Sequence, residues 1–438
     1  MQVYDRVVKI RQNKAITNSI WNMLSTVLLR GGVFLSNIII AQILGVEMYG
    51  KYAYIKNTSQ VFEFSLGIAF GISMTKFVAG GIQRSDKTDL YGIIKSNLVT
   101  SILLSFFIFI ILEIFAYLFL SENINSTNDL ILLRVSFLYL IFINISHSFV
   151  GILKGLEKFK LYFQVSLFVG TTNLLFAFIF TYFFSLVGAV ITLTLLAFIQ
   201  LVILTIVVEK HIPVFKYILS KKVIYNHSIQ KSFNIPALLS GLTAPPILWL
   251  ISYLLIKLPN GLTEVALYNV GFLIFALLVF APMAISDSLF PSINKLVENK
   301  VEFIKTIKKH IVMLFAISFI VALPTFLFPA QILSLFGKEF SGGTTILRWF
   351  SIAAILSSLL VYLGKVLAAL HLMWSNLMFN FIWAILVLII GFIDLNEGAQ
   401  WIAKSFVFSY AGLFVIQSGY IWYKLRINEN SIQRGYIV

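Results

Sequence analysis

Residues 16–43 read ITNSIWNMLSTVLLRGGVFLSNIIIAQI, a stretch whose single charge is Arg30. A helix crosses the hydrocarbon of a bilayer with about 20 mostly apolar residues, so this stretch is long enough to span with room to tilt. It follows a basic segment carrying Arg6, Lys9, Arg11 and Lys14. It also outruns a secretory apolar region and has no small-residue cleavage pattern, so it reads as a retained first span. Eleven similar runs follow, at about 53–78, 91–120, 130–153, 161–183, 187–208, 233–256, 265–290, 309–329, 344–366, 377–393 and 401–423.

The composition of the whole chain agrees with that reading. Of 438 residues, 59% are hydrophobic and 12% are charged, and the mean hydropathy is +0.93. A soluble domain carries about 25% charged residues, so this chain lacks the charge to cover a water-facing surface. A soluble enzyme, a disordered chain and a fibrous protein are excluded. The fold expected is an all-α polytopic membrane protein of twelve transmembrane helices. The absence of cysteine removes disulfides, thiolate metal sites and cysteine nucleophiles.

The net charge is +15, from 33 Lys and Arg against 18 Asp and Glu. Its placement orients the spans, because cytoplasmic loops carry the excess of Lys and Arg. With the N-terminus inside, the inner segments hold 22 of these cations, and the outer loops hold only Lys51, Lys56, Lys257 and Lys338. Both termini are therefore expected in the cytoplasm. The same asymmetry accounts for the basic balance with no nucleic-acid partner.

The longest connection, at 209–232, lies near the middle of the chain on the expected cytoplasmic side. It divides an N-terminal lobe, 1–208, from a C-terminal lobe, 233–438. The halves share a register: Leu133-Arg134 and Leu347-Arg348 are offset by 214 positions, as are Leu153 and Leu367, and Leu156 and Leu370. Matching charge at matching span positions points to a repeat of six helices.

Charge inside a membrane costs about 2.5–3.5 kcal/mol on insertion scales and so demands a reason. Arg134, Arg348, Lys404, Lys76, Lys95, Lys365 and Asp287 lie near span ends, where long side chains can reach the interface. Arg30 and Glu63 lie mid-span and cannot. Arg30 belongs to a stripe of Asn22, Thr26, Arg30 and Asn37, spaced 4, 4 and 7 along one helical face. Gln60, Glu63, Gly67 and Gly71 form a similar face on the second span. Two such faces line a wet cavity, or else are joined by an Arg30–Glu63 ion pair. Glu113 in the third span stays open between these kinds of role.

Pro245-Pro246, Pro282 and Pro324 fall inside expected spans, where each removes a backbone donor and can break the helix. Enzyme chemistry finds no support. The histidines at 147, 211, 227, 310 and 371 have no metal-ligand spacing, and His147 reads as an interior histidine. A P-loop is absent, and no carboxylate pair stands in an outer loop. Neither a catalytic residue nor a metal site nor a cofactor is expected.

Four segments in chain order resemble the polysaccharide flippases of the multidrug/oligosaccharidyl-lipid/polysaccharide exporter superfamily. They are AQILGVEMYGKY at 41–52, GILKGLEKF at 151–159, EVALYN at 264–269 and LFGKEF at 335–340. The resemblance implies two six-helix lobes around a central cavity that opens alternately to either side. The activity it implies is the movement of an undecaprenyl-pyrophosphate-linked oligosaccharide from the cytoplasmic to the periplasmic leaflet of a bacterial inner membrane. Proton or sodium coupling, a monomer, and a polymerase and chain-length regulator as neighbours follow by the same analogy.

Arg30 is then the expected pyrophosphate ligand, since a guanidinium fork matches phosphate oxygens. Asn22, Thr26, Asn37 and Gln60 are expected to hydrogen-bond sugar hydroxyls. Glu63 is expected to neutralise Arg30 between loads or to carry a coupling proton. The principal rival is a secondary exporter of small molecules. Intramembrane charge is mainly positive, which favours an anionic cargo over the cations that drug exporters carry.

Overall fold

The computed structural model describes residues 2–84, 87–117, 127–219, 234–297 and 299–433. Every regular element among the described residues is helical. Among the described residues, nine helical runs are long and apolar enough to cross a membrane. Two of them are too long for one crossing: Ile16–Gly81 has 66 residues and Phe159–Glu209 has 51. Both bend back.

The first run opens with α1, Gln2–Gln60, which turns at Gly45, where φ is 72° and ψ is 175°. That backbone is open essentially to glycine alone, and it falls at the Leu44-Gly45 turn of the first motif. Beyond α1 come α2 (Glu63–Leu66), a π-helical turn (Gly67–Ile72) and α3 (Ser73–Arg84). The other long run is α7, Phe159–Glu209, which turns at Ser185, where φ is 52° and ψ is −131°. Each bent run supplies two crossings.

Between them lie α4 (Lys87–Phe115), α5 (Thr127–Ser136) and α6 (Leu138–Gly155). After α7, the short α8 (Val214–Leu219) is the described part of the expected inter-lobe linker. The rest of that linker lies outside the described residues. Next come α9 (Ile235–Gly241) and α10 (Pro245–Leu255). The helix stops before Pro245-Pro246 and restarts on it, as a residue with fixed φ and no N–H allows at a first turn. Taken together, these runs are compatible with twelve crossings.

The chain divides into two compact units, Met1–Trp249 and Leu250–Val438. Residues 234–249, read from the sequence as opening the second lobe, pack with the first unit. Polar side chains account for this. Asn234 donates to Asn97 at 2.6 Å, and the Trp249 indole donates to Thr58 at 3.1 Å. In hydrocarbon such groups have no water to turn to, so their partners decide where the segment sits.

In the first unit α1 packs most extensively on α7, and α6 on α7. The helix of α6 meets the π-helical turn and α3 at very close range. A Cβ at Gly151 would stand 2.5 Å from the Gly71 carbonyl oxygen. In the second unit, α11 (Gly261–Asn294), α12 (Lys300–Leu327), α13 (Pro329–Ser334), α14 (Thr344–Ala369), α15 (Met373–Ile393) and α16 (Ala399–Gln433) surround an aromatic core. Phe350 meets Phe275 and Phe406 there, and Trp383 stacks on Tyr410 at 5.7 Å.

The 214-residue offset recurs in the backbone. After α6, Leu156 N–H donates to Ile152, Glu157 to Lys154 and Lys158 to Leu153; after α14, Leu370 donates to Val366, His371 to Ala368 and Leu372 to Leu367. Glu157 and His371 carry the left-handed φ of this cap, 57° and 58°. This is the same helix stop, made twice with different side chains.

Several of the end-of-span charges also have charged partners. Arg134 donates to Glu113 at 2.6 Å, Lys404 to Glu397 at 2.6 Å, and Lys365 meets Asp287 at 2.5 Å. Glu113 is thereby placed as the counterion of Arg134.

Candidate functional site

The first unit encloses a cavity of about 530 Å³ between α1, α6 and α7. Its α1 wall carries Thr26, Arg30, Ser36 and Asn37 on the arm before the Gly45 turn, and Tyr52, Lys56 and Gln60 on the arm after it, with Glu63 next along. The turn folds one helix against itself so that both polar stripes face the same space. On α6 the lining residues are Tyr139, Ile143, His147, Val150 and Lys154, a spacing of one helical face. From α7 come Tyr162, Asn173, Thr192 and Gln200.

Two hydrogen-bonded polar groups stand on this wall. Tyr49 donates its hydroxyl to Asn37 Oδ1 at 3.0 Å, and Lys56 Nζ donates to the same oxygen at 3.3 Å. Gln60 donates to the Tyr139 hydroxyl at 3.0 Å, and that hydroxyl donates to Glu63 Oε2 at 2.7 Å. His147 Nε2 faces the other carboxylate oxygen of Glu63 at 3.7 Å. Tyr139 and His147, both of α6, thus stand on Glu63. Asn173 of α7 donates to Ser36 at 3.2 Å and joins the far wall to the first.

Five of the six residues singled out from the sequence line the cavity: Arg30, Thr26, Asn37, Gln60 and Glu63. Thr26 gives its hydroxyl hydrogen to the Asn22 carbonyl at 2.9 Å, which leaves its oxygen as an acceptor. Asn22 is the exception. It contributes that backbone carbonyl, and its side chain is not among the lining groups.

Lys56 needs a correction. Counted from the sequence as an outer-loop cation, it sits within the helix and lines the cavity, because α1 resumes at once after Gly45. His147 and Lys154 escape a sequence-based reading of the site for another reason. Their common face with Tyr139 is visible as spacing, but nothing in the spacing says which way that face turns.

Among the described residues, Arg30, Lys56 and Lys154 are the ammonium and guanidinium groups of the lining, and Glu63 is its single carboxylate. Such a surface has the chemistry to hold an anion: guanidinium and ammonium groups can meet phosphate oxygens with charge-assisted hydrogen bonds, and amides, hydroxyls and phenol rings suit sugar hydroxyls and ring faces.

The family of polysaccharide biosynthesis proteins matches residues 15–297, well over half of the chain and all of this cavity. The chain belongs to that family. No curated protein matches this polysaccharide biosynthesis family member. Among solved structures it is similar to an inward-facing multidrug resistance MATE family transporter of the MOP superfamily. Identity is 15%, coverage is 92% of this chain and 99% of that one, and the TM-score is 0.79. An outward-facing structure of such a transporter aligns at 16% identity, 95% and 96% coverage and a TM-score of 0.67. A MOP superfamily transporter from Pyrococcus furiosus, described by the reverse polarity of its binding pocket, aligns at 16% identity, 94% and 95% coverage and a TM-score of 0.66. At such identities the likeness establishes the fold, which is MATE-like. This family member is a multi-pass membrane protein with the fold of MOP superfamily transporters.

Proposed function

We propose that the protein is a flippase for lipid-linked oligosaccharide in surface-polysaccharide biosynthesis. Its cargo is an undecaprenyl-pyrophosphate-linked repeat unit, taken from the cytoplasmic to the periplasmic leaflet of the bacterial inner membrane by alternating access. The observation that carries this reading is the cavity of the first unit, with three cations set against one carboxylate among amides and tyrosines. A diphosphate cannot cross hydrocarbon unassisted. The polyprenyl tail can stay in lipid while the head travels, so only the head needs a polar path. The distribution of Lys and Arg supports cytoplasmic termini.

In this reading Arg30 holds the diphosphate mid-membrane, and Lys56, beside Asn37 and Tyr49, receives it nearer the Gly45 turn. Asn37, Gln60, Asn173 and Gln200 contact the glycan. Glu63, held by Tyr139 and His147, carries the coupling proton, and Glu63→Gln flattens the pH dependence of transport. The protein works as a monomer, with a polymerase and a chain-length regulator as neighbours in the pathway. The test is depletion in the native host, with lipid-linked sugars followed by mass spectrometry. Single repeat units accumulate on the cytoplasmic leaflet and are cleared by the wild type but not by Arg30→Ala. If they do not accumulate, and export of a small compound is lost instead, the protein is a small-molecule exporter.

A further inference from the structure

Two helices of the second unit are clipped together near both ends. Thr325 of α12 shares a hydrogen bond with Ser351 of α14 at 2.7 Å, and His310 Nδ1 of α12 shares one with the Tyr362 hydroxyl of α14 at 2.8 Å. The His310 and Tyr362 rings meet edge to face at 5.6 Å. Tyr362 is fully buried and His310 is 9% exposed. His310 follows directly on Lys308 and Lys309, both exposed, so its ring stands where α12 passes from solvated lysines into its apolar run. The distribution of Lys and Arg puts that end at the cytoplasm.

The repeat shows that such a clip needs no titratable group. At the 214-residue offset, Tyr362 corresponds to Ser148 of α6. In the first unit α6 is joined to α4, as α14 is to α12: Ser148 donates to Ser101 at 3.4 Å, and Asn144 donates to the Ser101 carbonyl at 3.2 Å. Hydroxyls and amides hold that pair whatever the pH. In the second unit the same position on the helix carries a phenol, and its partner is an imidazole, the side chain that changes charge near neutral pH. An ionisable group at membrane depth points to function by default, and here packing alone had a neutral solution at hand.

We infer that His310 and Tyr362 form a proton-binding site of the second unit, which frees the inner end of α12 from α14 when the imidazole is charged. It is separate from Glu63 and does not depend on the identity of the cargo. The neutral ring can take the Tyr362 hydroxyl hydrogen at Nδ1, whereas the protonated ring has donors only, so Tyr362 must turn its O–H away. The new charge lies next in sequence to Lys309, a like charge, and α13 brings no charged residue. Asp287 of α11 is already met by Lys365, one turn on from Tyr362 along α14, at 2.5 Å. Protonation thus weakens the inner clip and leaves the outer one, Thr325 with Ser351, in place.

Hydrogen–deuterium exchange of the purified full-length protein, corrected for the intrinsic effect of pH on exchange, tests this without transport. Between about pH 7.5 and about pH 5.5, on either side of the ordinary imidazole pKa, exchange at the inner end of α12 is expected to rise about three- to tenfold, the worth of one hydrogen bond. Exchange around Thr325 stays as it was. His310→Gln, whose amide does not titrate, loses the response. Tyr362→Phe exchanges fast at both pH values, because the clip is gone. A wild type that shows no rise, a rise spread evenly over the protein, or a rise that survives His310→Gln overturns the site. Should His310→Gln fail to fold, Tyr362→Phe decides in its place: a phenylalanine variant that keeps the wild-type response overturns the site equally.

Discussion

Arg30 and Glu63 are both mid-span charges, and both line the cavity of the first unit. Glu63 accepts from Tyr139 and faces His147, while Arg30 lines the cavity that Lys56 and Lys154 also line. Arg30→Ala is expected to abolish flipping while membrane insertion persists, and Arg30→Lys to restore only part of the rate, because the charge stays and the bidentate fork is lost. Reconstituted flipping of a lipid-linked oligosaccharide measures both. Tyr139→Phe removes the donor to Glu63 and the acceptor for Gln60 together. A lost hydrogen bond to a charged group is worth about 1.5–3 kcal/mol, so transport is expected to fall by roughly ten- to a hundredfold, and its pH profile to move with that of Glu63→Gln. If the profile stays in place, Tyr139 acts only by filling space. Arg30, Asn37 and Glu63 are legible from the sequence because polar residues at helical spacing are conspicuous in an apolar span. Lys56 is not, because its place depends on where a turn ends, and one residue's conformation decides that.

Two turns decide the path of the longest helical runs, and they solve the same problem differently. Gly45 supplies a φ of 72°, which an L side chain resists. Ser185 adopts φ 52° and ψ −131° without that freedom, while at nearly the same register in the second unit Gly398 has φ 66° and ψ −143°. Ser185→Gly is therefore expected to raise stability by about 1 kcal/mol, and Gly45→Ala to lower it by about 1–3 kcal/mol. Thermal unfolding in detergent, followed by intrinsic fluorescence, reads both changes. A Ser185→Gly protein that unfolds earlier than wild type would mean that the serine contributes something its strain conceals. Gly151 marks a third constraint, since its missing Cβ lets α6 lie against the Gly71 carbonyl. A Gly151→Leu protein must separate these helices. It is expected to lose transport even where it inserts, because the face of α6 that lines the cavity is then displaced.

For the whole molecule, the proposed cargo rests on the balance of charge in the cavity. Cells lacking the protein are expected to keep their tolerance of cationic dyes while lipid-linked repeat units accumulate. A loss of dye tolerance without accumulation would place the cation excess in some other role. Composition and hydropathy alone determined that this chain is a multi-pass helical membrane protein. The reason is thermodynamic: a chain with 12% charged residues cannot satisfy a water-facing surface, and apolar runs of span length can only be helices in lipid. The repeat was also legible, as a 214-residue offset in Leu and Arg, and the structure gives it substance in one helix cap built twice. Tertiary structure alone decided which polar faces meet. Periodicity states that Tyr139, His147 and Lys154 share a face of α6, but the direction of that face depends on helix rotation, which packing sets. It likewise decided which partners residues 234–249 find, because Asn97 and Thr58, far off in sequence, meet the Asn234 and Trp249 side chains where water is absent.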